Sequence, residues 1–361
     1  MNFTAEPRRL SFTISEMLRL IFRIYLDKVA LLLAISVGIT LLFMAIGVFV
    51  NGIAGFNVLN TVGSVGSINT FPAGQSWVPL LIASFIVTPI LSLLQFVLTY
   101  GPITFLTSEY LLGNRGLDLR EVFIGASERV GSLAGGYFIL IVIAVITVIG
   151  VSILGAVCFP LFILMVPLIY LFMCIGSVIA PVLMLERIDF AAALSRAWIL
   201  GKSRFWTAIG LFFLVGVVTF LIQLPQLILS WPTISAAFTT GAVSPGLASG
   251  LGQSAFSLIL SGVTSILILP LGPIASTLFY YDTRTRTEGL DAALDALGSP
   301  DARPRHLPSP MQGSGLNSQD FLNMLALLGI GVIIVLAFAA LSLTLVGWLQ
   351  NTLPPGLFDR V

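Results

Sequence analysis

The chain alternates between long apolar runs and short polar stretches. Seven runs contain no charged residue, and they cover residues 29–50, 77–100, 133–157, 161–184, 206–230, 254–281 and 321–348. A helix needs about 20 apolar residues, each adding about 1.5 Å, to cross a hydrocarbon layer about 30 Å thick. The pattern therefore predicts an all-α, polytopic membrane helix bundle with seven spans, or with six if 321–348 does not cross.

Basic residues occur only in alternate connections between these runs. Sixteen of the 17 Lys and Arg residues lie within residues 8–28, 115–129, 187–204 and 284–305. The connections between those groups, at 51–76, 158–160 and 231–253, carry no charge. Because basic connections remain in the cytoplasm, we expect a multi-pass protein of the cytoplasmic membrane. Its N-terminus is expected inside and, with seven spans, its C-terminus outside.

Composition agrees with this class. The chain is 57% hydrophobic and only 9% charged, with a mean hydropathy of +1.05, which lies outside the range of soluble domains. Nucleic-acid binding is not expected, because no basic patch is interleaved with aromatic residues. Aromatic residues near the ends of the runs, among them Tyr280 and Tyr281, are interpreted as belt residues at headgroup depth.

A three-part repeat is visible along the chain. The segments Gly101-Pro102-Ile103, Ala180-Pro181-Val182 and Gly272-Pro273-Ile274 are each followed within ten residues by an acid, namely Glu109, Glu186 and Asp282. Amphipathic helices are predicted after Thr13, Asp118 and Asp189, two of them with a capping-box pattern. We therefore predict parallel repeats at 11–112, 117–187 and 189–297, each an amphipathic helix, an outward span and an inward span.

These repeats give the predicted domain organisation. Residues 1–297 form a membrane domain, 298–320 a flexible cytoplasmic linker, and 321–361 a final span with a short outer tail. The amphipathic helices either tie the spans to the headgroups or form a cytoplasmic collar that docks a partner. Prolines on the inward spans predict kinks, which serve either packing or the lining of a central space.

Candidate chemistry is sparse. No Asp, Glu, Lys, Arg or His lies within the seven runs, so an ion-coupled transporter is not expected. The single histidine, His306, lies in the predicted linker, and no catalytic, cofactor or metal site is expected. Glu109 and Glu186 are interpreted as members of solvated ion pairs. Polar residues at membrane depth, chiefly Gln95, Gln223 and Gln226, are expected to form hydrogen bonds between helices.

Two segments carry a family resemblance. Residues 180–206, with the sequence APVLMLERIDFAAALSRAWILGKSRFW, and residues 278–290, LFYYDTRTRTEGL, resemble the membrane domain of some glycerophosphoryl diester phosphodiesterases, which also occurs as free-standing bacterial proteins. The similarity covers about residues 10–295. It implies the membrane domain without the hydrolase, because the paired histidines and acidic metal ligands of that hydrolase have no counterpart here.

The expected function follows from the cytoplasmic position of the polar motifs. We expect a non-catalytic scaffold or accessory subunit that binds anionic lipid headgroups or a protein partner. The candidate contact residues are Arg196, Trp198, Lys202, Arg204, Arg284 and Arg286. The alternative is an uncoupled lipid or small-solute translocator. A lipid-modifying enzyme would need a reactive constellation of side chains that the sequence does not show.

Overall fold

The computed structural model of the chain is built from helices. It describes residues 10–63, 78–157, 165–240, 259–297, 302–307 and 315–352. The helices are α1 (Ile14–Asp27), α2 (Val29–Gly63), α3 (Val78–Leu111), α4 (Leu119–Val157), α5 (Met165–Gly176), α6 (Ile179–Leu185), α7 (Phe190–Ser203), α8 (Phe205–Thr240), α9 (259–268), α10 (Leu271–Glu288), α11 (Leu290–Ala296) and α12 (Ser318–Thr352). The described residues contain no strand, which confirms the predicted all-α class.

Six helical stretches in the described residues are long and apolar enough to cross a membrane. They are Val29–Ile46, Ile90–Leu111, Leu119–Val151, Met165–Leu185, Phe205–Ile228 and Ile259–Glu288. Each overlaps one of the first six predicted runs, so the chain has the features of a multi-pass membrane protein. The described apolar part of α12 is the shorter stretch Ser318–Ile333, and the seventh span therefore stays a prediction.

The chain divides into two compact units. The first contains residues 1–142 and 174–311, and the second contains residues 143–173 and 312–361. In the first unit, α10 lies among α1, α3, α6, α7 and α8 and contacts all five. Almost every residue of α10 up to Thr285 is buried, so this helix forms the centre of the unit.

α1 begins directly after Thr13, where the sequence predicts a capped helix. The hydroxyl of Thr13 accepts a hydrogen bond from the backbone N–H of Glu16, and the Glu16 carboxylate accepts one from the backbone N–H of Thr13 at 2.7 Å. This reciprocal capping box satisfies two of the helix's unpaired donors. Met17, Ile21 and Ile24 lie one turn apart and are buried, so a continuous apolar stripe holds α1 against the unit.

The repeats differ in how the amphipathic helix joins its span. A non-helical residue separates α1 from α2 at Lys28, and another separates α7 from α8 at Arg204. The second repeat has no such break, because α4 runs without interruption from Leu119 to Val157. The expected separate polar helix after Asp118 is therefore wrong, although the Asp118 N–H does donate to the Glu121 carboxylate at 3.3 Å.

Two of the six membrane-length stretches are interrupted close to a proline. The stretch Met165–Leu185 breaks at residues 177–178, shortly before Pro181, and the stretch Ile259–Glu288 breaks at residues 269–270, where Pro270 precedes α10. These breaks confirm two of the predicted kinks, since proline cannot donate to the preceding turn. α3 remains one helix through Pro89 and Pro102, so no helix break occurs there.

The second unit contains a polar contact of its own. The Tyr170 hydroxyl donates to the Asp320 carboxylate at 2.7 Å, and both side chains are buried. Asp320 also caps α12, because its carboxylate accepts from the N–H of Asn317 at 2.8 Å while its own N–H donates to the Asn317 side chain at 2.9 Å. These reciprocal hydrogen bonds cap the N-terminus of α12, which begins at Ser318, three residues before the predicted apolar run 321–348.

Candidate functional site

Two polar regions of the first unit are candidates for function. One is the charged end, which we define as the part of the unit around the last turns of α10 (residues 280–288). It contains all three acids of the predicted repeats: Glu109 from α3, Glu186 after α6, and Asp282 on α10. The other is a groove lined by uncharged polar side chains of α3, α8 and α9.

Glu186 is the centre of a buried ion network in the charged end. Its carboxylate accepts a hydrogen bond from the Tyr280 hydroxyl at 2.8 Å and lies 3.2 Å from Arg196 Nε and 3.3 Å from Arg284 Nη1. The side chains of Glu186, Arg196 and Arg284 are at most 2% exposed. Three buried ionisable groups therefore meet where α6, α7 and α10 come together.

Glu288 balances the charge of this network. Its carboxylate accepts from Arg284 Nε at 2.9 Å and also pairs with the Arg196 guanidinium. Two arginines thus face two glutamates, and the four formal charges cancel. Burial alone would lower the pKa of Arg196, but its hydrogen bond to Glu288 and the charges of both glutamates outweigh burial and raise that pKa. Arg196 is therefore held in its charged form.

Asp282 anchors the segment that precedes α1. Its carboxylate accepts a hydrogen bond from the backbone N–H of Phe12 at 2.7 Å and pairs with Arg286 Nε at 2.8 Å and with Arg204. Arg286 in turn donates to the Phe12 carbonyl oxygen at 3.1 Å. Asp282 itself is completely buried. One carboxylate therefore connects α10, the break before α8, and the N-terminal segment.

Glu109, the third repeat acid, binds the segment after α11. Arg303 donates to both oxygens of Glu109, from Nε at 2.7 Å and from Nη2 at 2.8 Å, which is the bidentate geometry that guanidinium and carboxylate favour. Next to it, the Ser108 and Tyr281 hydroxyls are hydrogen bonded at 2.7 Å. Arg303 lies within the predicted flexible linker. Residues 302–307 of this predicted linker pack here, with Ala302 and Pro304 buried.

The ion pairs differ from the sequence interpretation in their burial. Glu109 and Glu186 do pair with arginines, as expected, but they are 7% and 1% exposed and are not solvated. Tyr280 and Tyr281 are wholly buried and hydrogen bonded inside the unit, so their interpretation as belt residues is wrong. Trp206, near the start of α8, is 43% exposed.

The six candidate contact residues separate into two groups. Arg196 and Arg284 are buried and bound to glutamates, so the expectation that they contact headgroups or a partner is wrong for these two. The side chain of Arg286 is 42% exposed and that of Arg204 24%. Trp198 and Lys202 are half-buried, and the Lys202 ammonium lies 5.4 Å from the centre of the Trp198 ring. Four of the six therefore remain accessible in part.

Two further arginines on the charged end are also exposed. The side chains of Arg187 and Arg305 are 59% and 41% exposed, and both lie near Glu128, at 3.6 and 4.0 Å. They border a cavity of about 370 Å³ that also contacts Arg129 and the Glu109–Arg303 pair. The sequence places Arg187 beside a repeat acid and Arg305 in the linker, but it does not indicate that the two share one cavity.

The polar groove brings together residues that are distant in sequence. It has a volume of about 560 Å³, and its polar lining consists of Gln95, Gln223, Gln226, Ser261, Thr264 and Ser265. One hydrogen bond of the predicted kind joins α9 to α8, where Thr264 Oγ1 donates to Gln226 Oε1 at 3.2 Å. The structure thus brings Gln95 of α3 to the same groove as Gln223 and Gln226 of α8.

Among the described residues, no group of three His, Cys, Asp or Glu side chains could hold a metal ion. Cys174 is buried in the interior. Cys158, the other cysteine, lies outside the described residues.

Comparison with known proteins does not add a family to this picture. No family model matches the chain, and neither a curated protein nor a solved structure matches it. The resemblance to the phosphodiesterase membrane domain therefore rests on residues 180–206 and 278–290 alone.

Proposed function

We propose that the chain is a non-catalytic scaffold or accessory subunit of the cytoplasmic membrane that acts through its charged end. The main support for the proposal is the structural role of the three repeat acids, Glu109, Glu186 and Asp282. Each one is buried and ion-paired, and together they fix α3, α6, α7, α10 and the segments 10–13 and 302–307. Such a network supports a rigid surface that presents the remaining arginines in fixed positions.

The orientation of this surface follows from charge. The charged end contains the basic groups at 187–204 and 284–305, and basic connections favour the cytoplasmic side. The proposal therefore places the charged end inside the cell and, with seven spans, the C-terminus outside. It is also compatible with the resemblance to a membrane domain that exists without its hydrolase.

The contact residues of the proposal are cations that lie outside the buried network. The side chains of Arg187 and Arg305 are 59% and 41% exposed, and Lys202 is half-buried beside Trp198, so all three can contribute positive charge towards anionic headgroups or an acidic partner surface. A basic side chain near an anionic membrane surface contributes about 1 kcal/mol. Three such residues would together strengthen binding by about two orders of magnitude if their contributions were additive.

The test is purification in a mild detergent followed by mass spectrometry of what remains bound. We expect the triple variant R187Q/K202Q/R305Q to lose an anionic lipid or a protein partner that the unchanged chain retains. The matched control is R187K/K202R/R305K, which keeps every charge and should keep the ligand. Equal retention by the glutamine variant and the unchanged chain would contradict the proposal.

A second candidate function is uncoupled translocation of a lipid or small solute. The groove favours it, because three amides gather there within a stretch otherwise made of apolar helices. Reconstituted vesicles that contain the protein and show no movement of lipid or uncharged solute would remove this candidate. The groove also supports a narrower inference about binding.

A further inference from the structure

We propose that the groove between α3, α8 and α9 binds the uncharged, hydroxyl-bearing head of a membrane lipid, such as diacylglycerol. Binding at this position requires neither a partner at the charged end nor transport across the membrane. The inference depends on the chemistry of the lining, on its depth and on the apolar side chains that flank it.

The lining is polar but carries no charge. Three amides and three hydroxyls face the same volume, and each of these groups can donate and accept hydrogen bonds. Among the described residues, neither the Gln95 nor the Gln223 side-chain amide has a hydrogen-bond partner, whereas Gln226 is near Thr264. Unpaired amides are costly in hydrocarbon, so a ligand that offers hydroxyl or ester oxygens would be stabilised here, and a charged headgroup would find no counter-charge.

The depth of the groove agrees with a lipid head. The rise along a helix is about 1.5 Å per residue. Along α3, Gln95 therefore lies about 21 Å from Glu109, and along α8, Gln223 lies about 29 Å from Arg204, the residue before that helix. Glu109 and Arg204 belong to the charged end, and a hydrocarbon layer is about 30 Å thick. The groove therefore lies towards the far boundary of that layer, where the glycerol backbones of the other leaflet begin.

The flanks of the groove suit acyl chains. Phe220 and Leu227 line it and are 55% and 44% exposed, so they face the hydrocarbon around the protein. A water-soluble polyol would gain nothing from these side chains. A lipid whose head occupies the polar lining could extend its chains along them, and a volume of about 560 Å³ is within the range of ligand sites.

The same features disfavour a second copy of the chain as the occupant. Helices that associate in membranes do so through small residues that allow close approach. Here the exposed flanks are the large side chains of Phe220 and Leu227. A concave, partly polar volume also fits a compact head better than it fits the surface of a helix.

The test measures lipid binding to the purified full chain by native mass spectrometry, with diacylglycerol and phosphatidylglycerol as probes. We expect selective binding of diacylglycerol, and about tenfold weaker binding to Q223L/Q226L, since one hydrogen bond in a membrane is worth on the order of threefold. The matched control T219V removes a hydroxyl from α8 outside the lining and should bind like the unchanged chain. S265L, which fills the groove, should also weaken binding.

Other outcomes would overturn the proposal or assign the groove to a different occupant. Equal binding of diacylglycerol by the unchanged chain, Q223L/Q226L and S265L would overturn it, as would a preference for phosphatidylglycerol. Protection from heat unfolding by free glycerol that matches protection by diacylglycerol would assign the groove to a soluble polyol. A dimer that Q223L/Q226L converts to monomer without loss of lipid would assign it to pairing of two copies. A thermal unfolding scan of every variant separates lost binding from lost folding.

Discussion

The charged end and the groove are both polar, yet their groups are used in opposite ways. At the charged end, Glu109, Glu186 and Asp282 are each buried against one or two arginines. In the groove, Gln95 and Gln223 have no side-chain hydrogen-bond partner among the described residues. Satisfied buried groups hold helices together, whereas unsatisfied ones can bind something else. The difference suggests a structural role for the first region and a ligand for the second.

The largest effect on stability is expected when Glu186 is removed. In E186A, Arg196 and Arg284 lose one of the two glutamates that they share, and we expect a loss of about 3–5 kcal/mol in the free energy of unfolding because buried positive charge is left uncompensated. The measurement is thermal unfolding in detergent. The double variant E186L/R196M removes a whole pair and leaves Arg284 with Glu288, so it should recover most of the loss. Equal instability of the two variants would show that the charges do not form one network.

A smaller effect is expected where the network reaches the segment after α11. R303Q removes the bidentate pair with Glu109, and we expect a loss of about 1–3 kcal/mol because a buried carboxylate is left with fewer donors. Because Arg303 anchors residues 302–307, R303Q should release this segment more than it destabilises the whole unit. Limited proteolysis should cut this segment in R303Q but not in R305Q, whose side chain is already 41% exposed. Similar cleavage of the two variants would contradict the anchoring role of Arg303.

The smallest effect is expected in the groove. Q223L replaces an amide that has no partner with an apolar side chain of similar size, so stability in the absence of lipid should change by less than about 0.5 kcal/mol. The change is measured by the same thermal scans. A large loss would mean that Gln223 holds the helices together, and the groove would then resemble the charged end.

Much of the fold could be predicted from local signals. The apolar runs locate six spans, and Thr13 with Glu16 locates the start of α1, because both features lie within one element. The repeat pattern also selected the three acids that the structure buries. Local pattern did not predict that α4 is continuous. Its polar part and its apolar part form one helix, because no residue between them breaks it.

The pairing of the acids could not be predicted in the same way. Arg303 lies 194 residues after Glu109, and Arg284 lies on a different helix from Glu186. A sequence shows that Arg196 and Arg284 are charged but not which helix each one faces, and solvation is the usual state of an arginine. The sequence therefore predicts both at the surface. The groove could not be predicted for a related reason, because its polar side chains come from three helices.

The long separation of Glu109 from Arg303 also has a consequence for biosynthesis. A chain emerging from the ribosome exposes Glu109 long before residue 303 exists, and α10, the helix around which the first unit packs, is the last of the six membrane-length stretches to be made. Until then Glu109 lacks its Arg303 partner. The Glu109–Arg303 pair can therefore form only after all six membrane-length stretches have been made, and a nascent chain that stops before residue 303 would keep Glu109 without it.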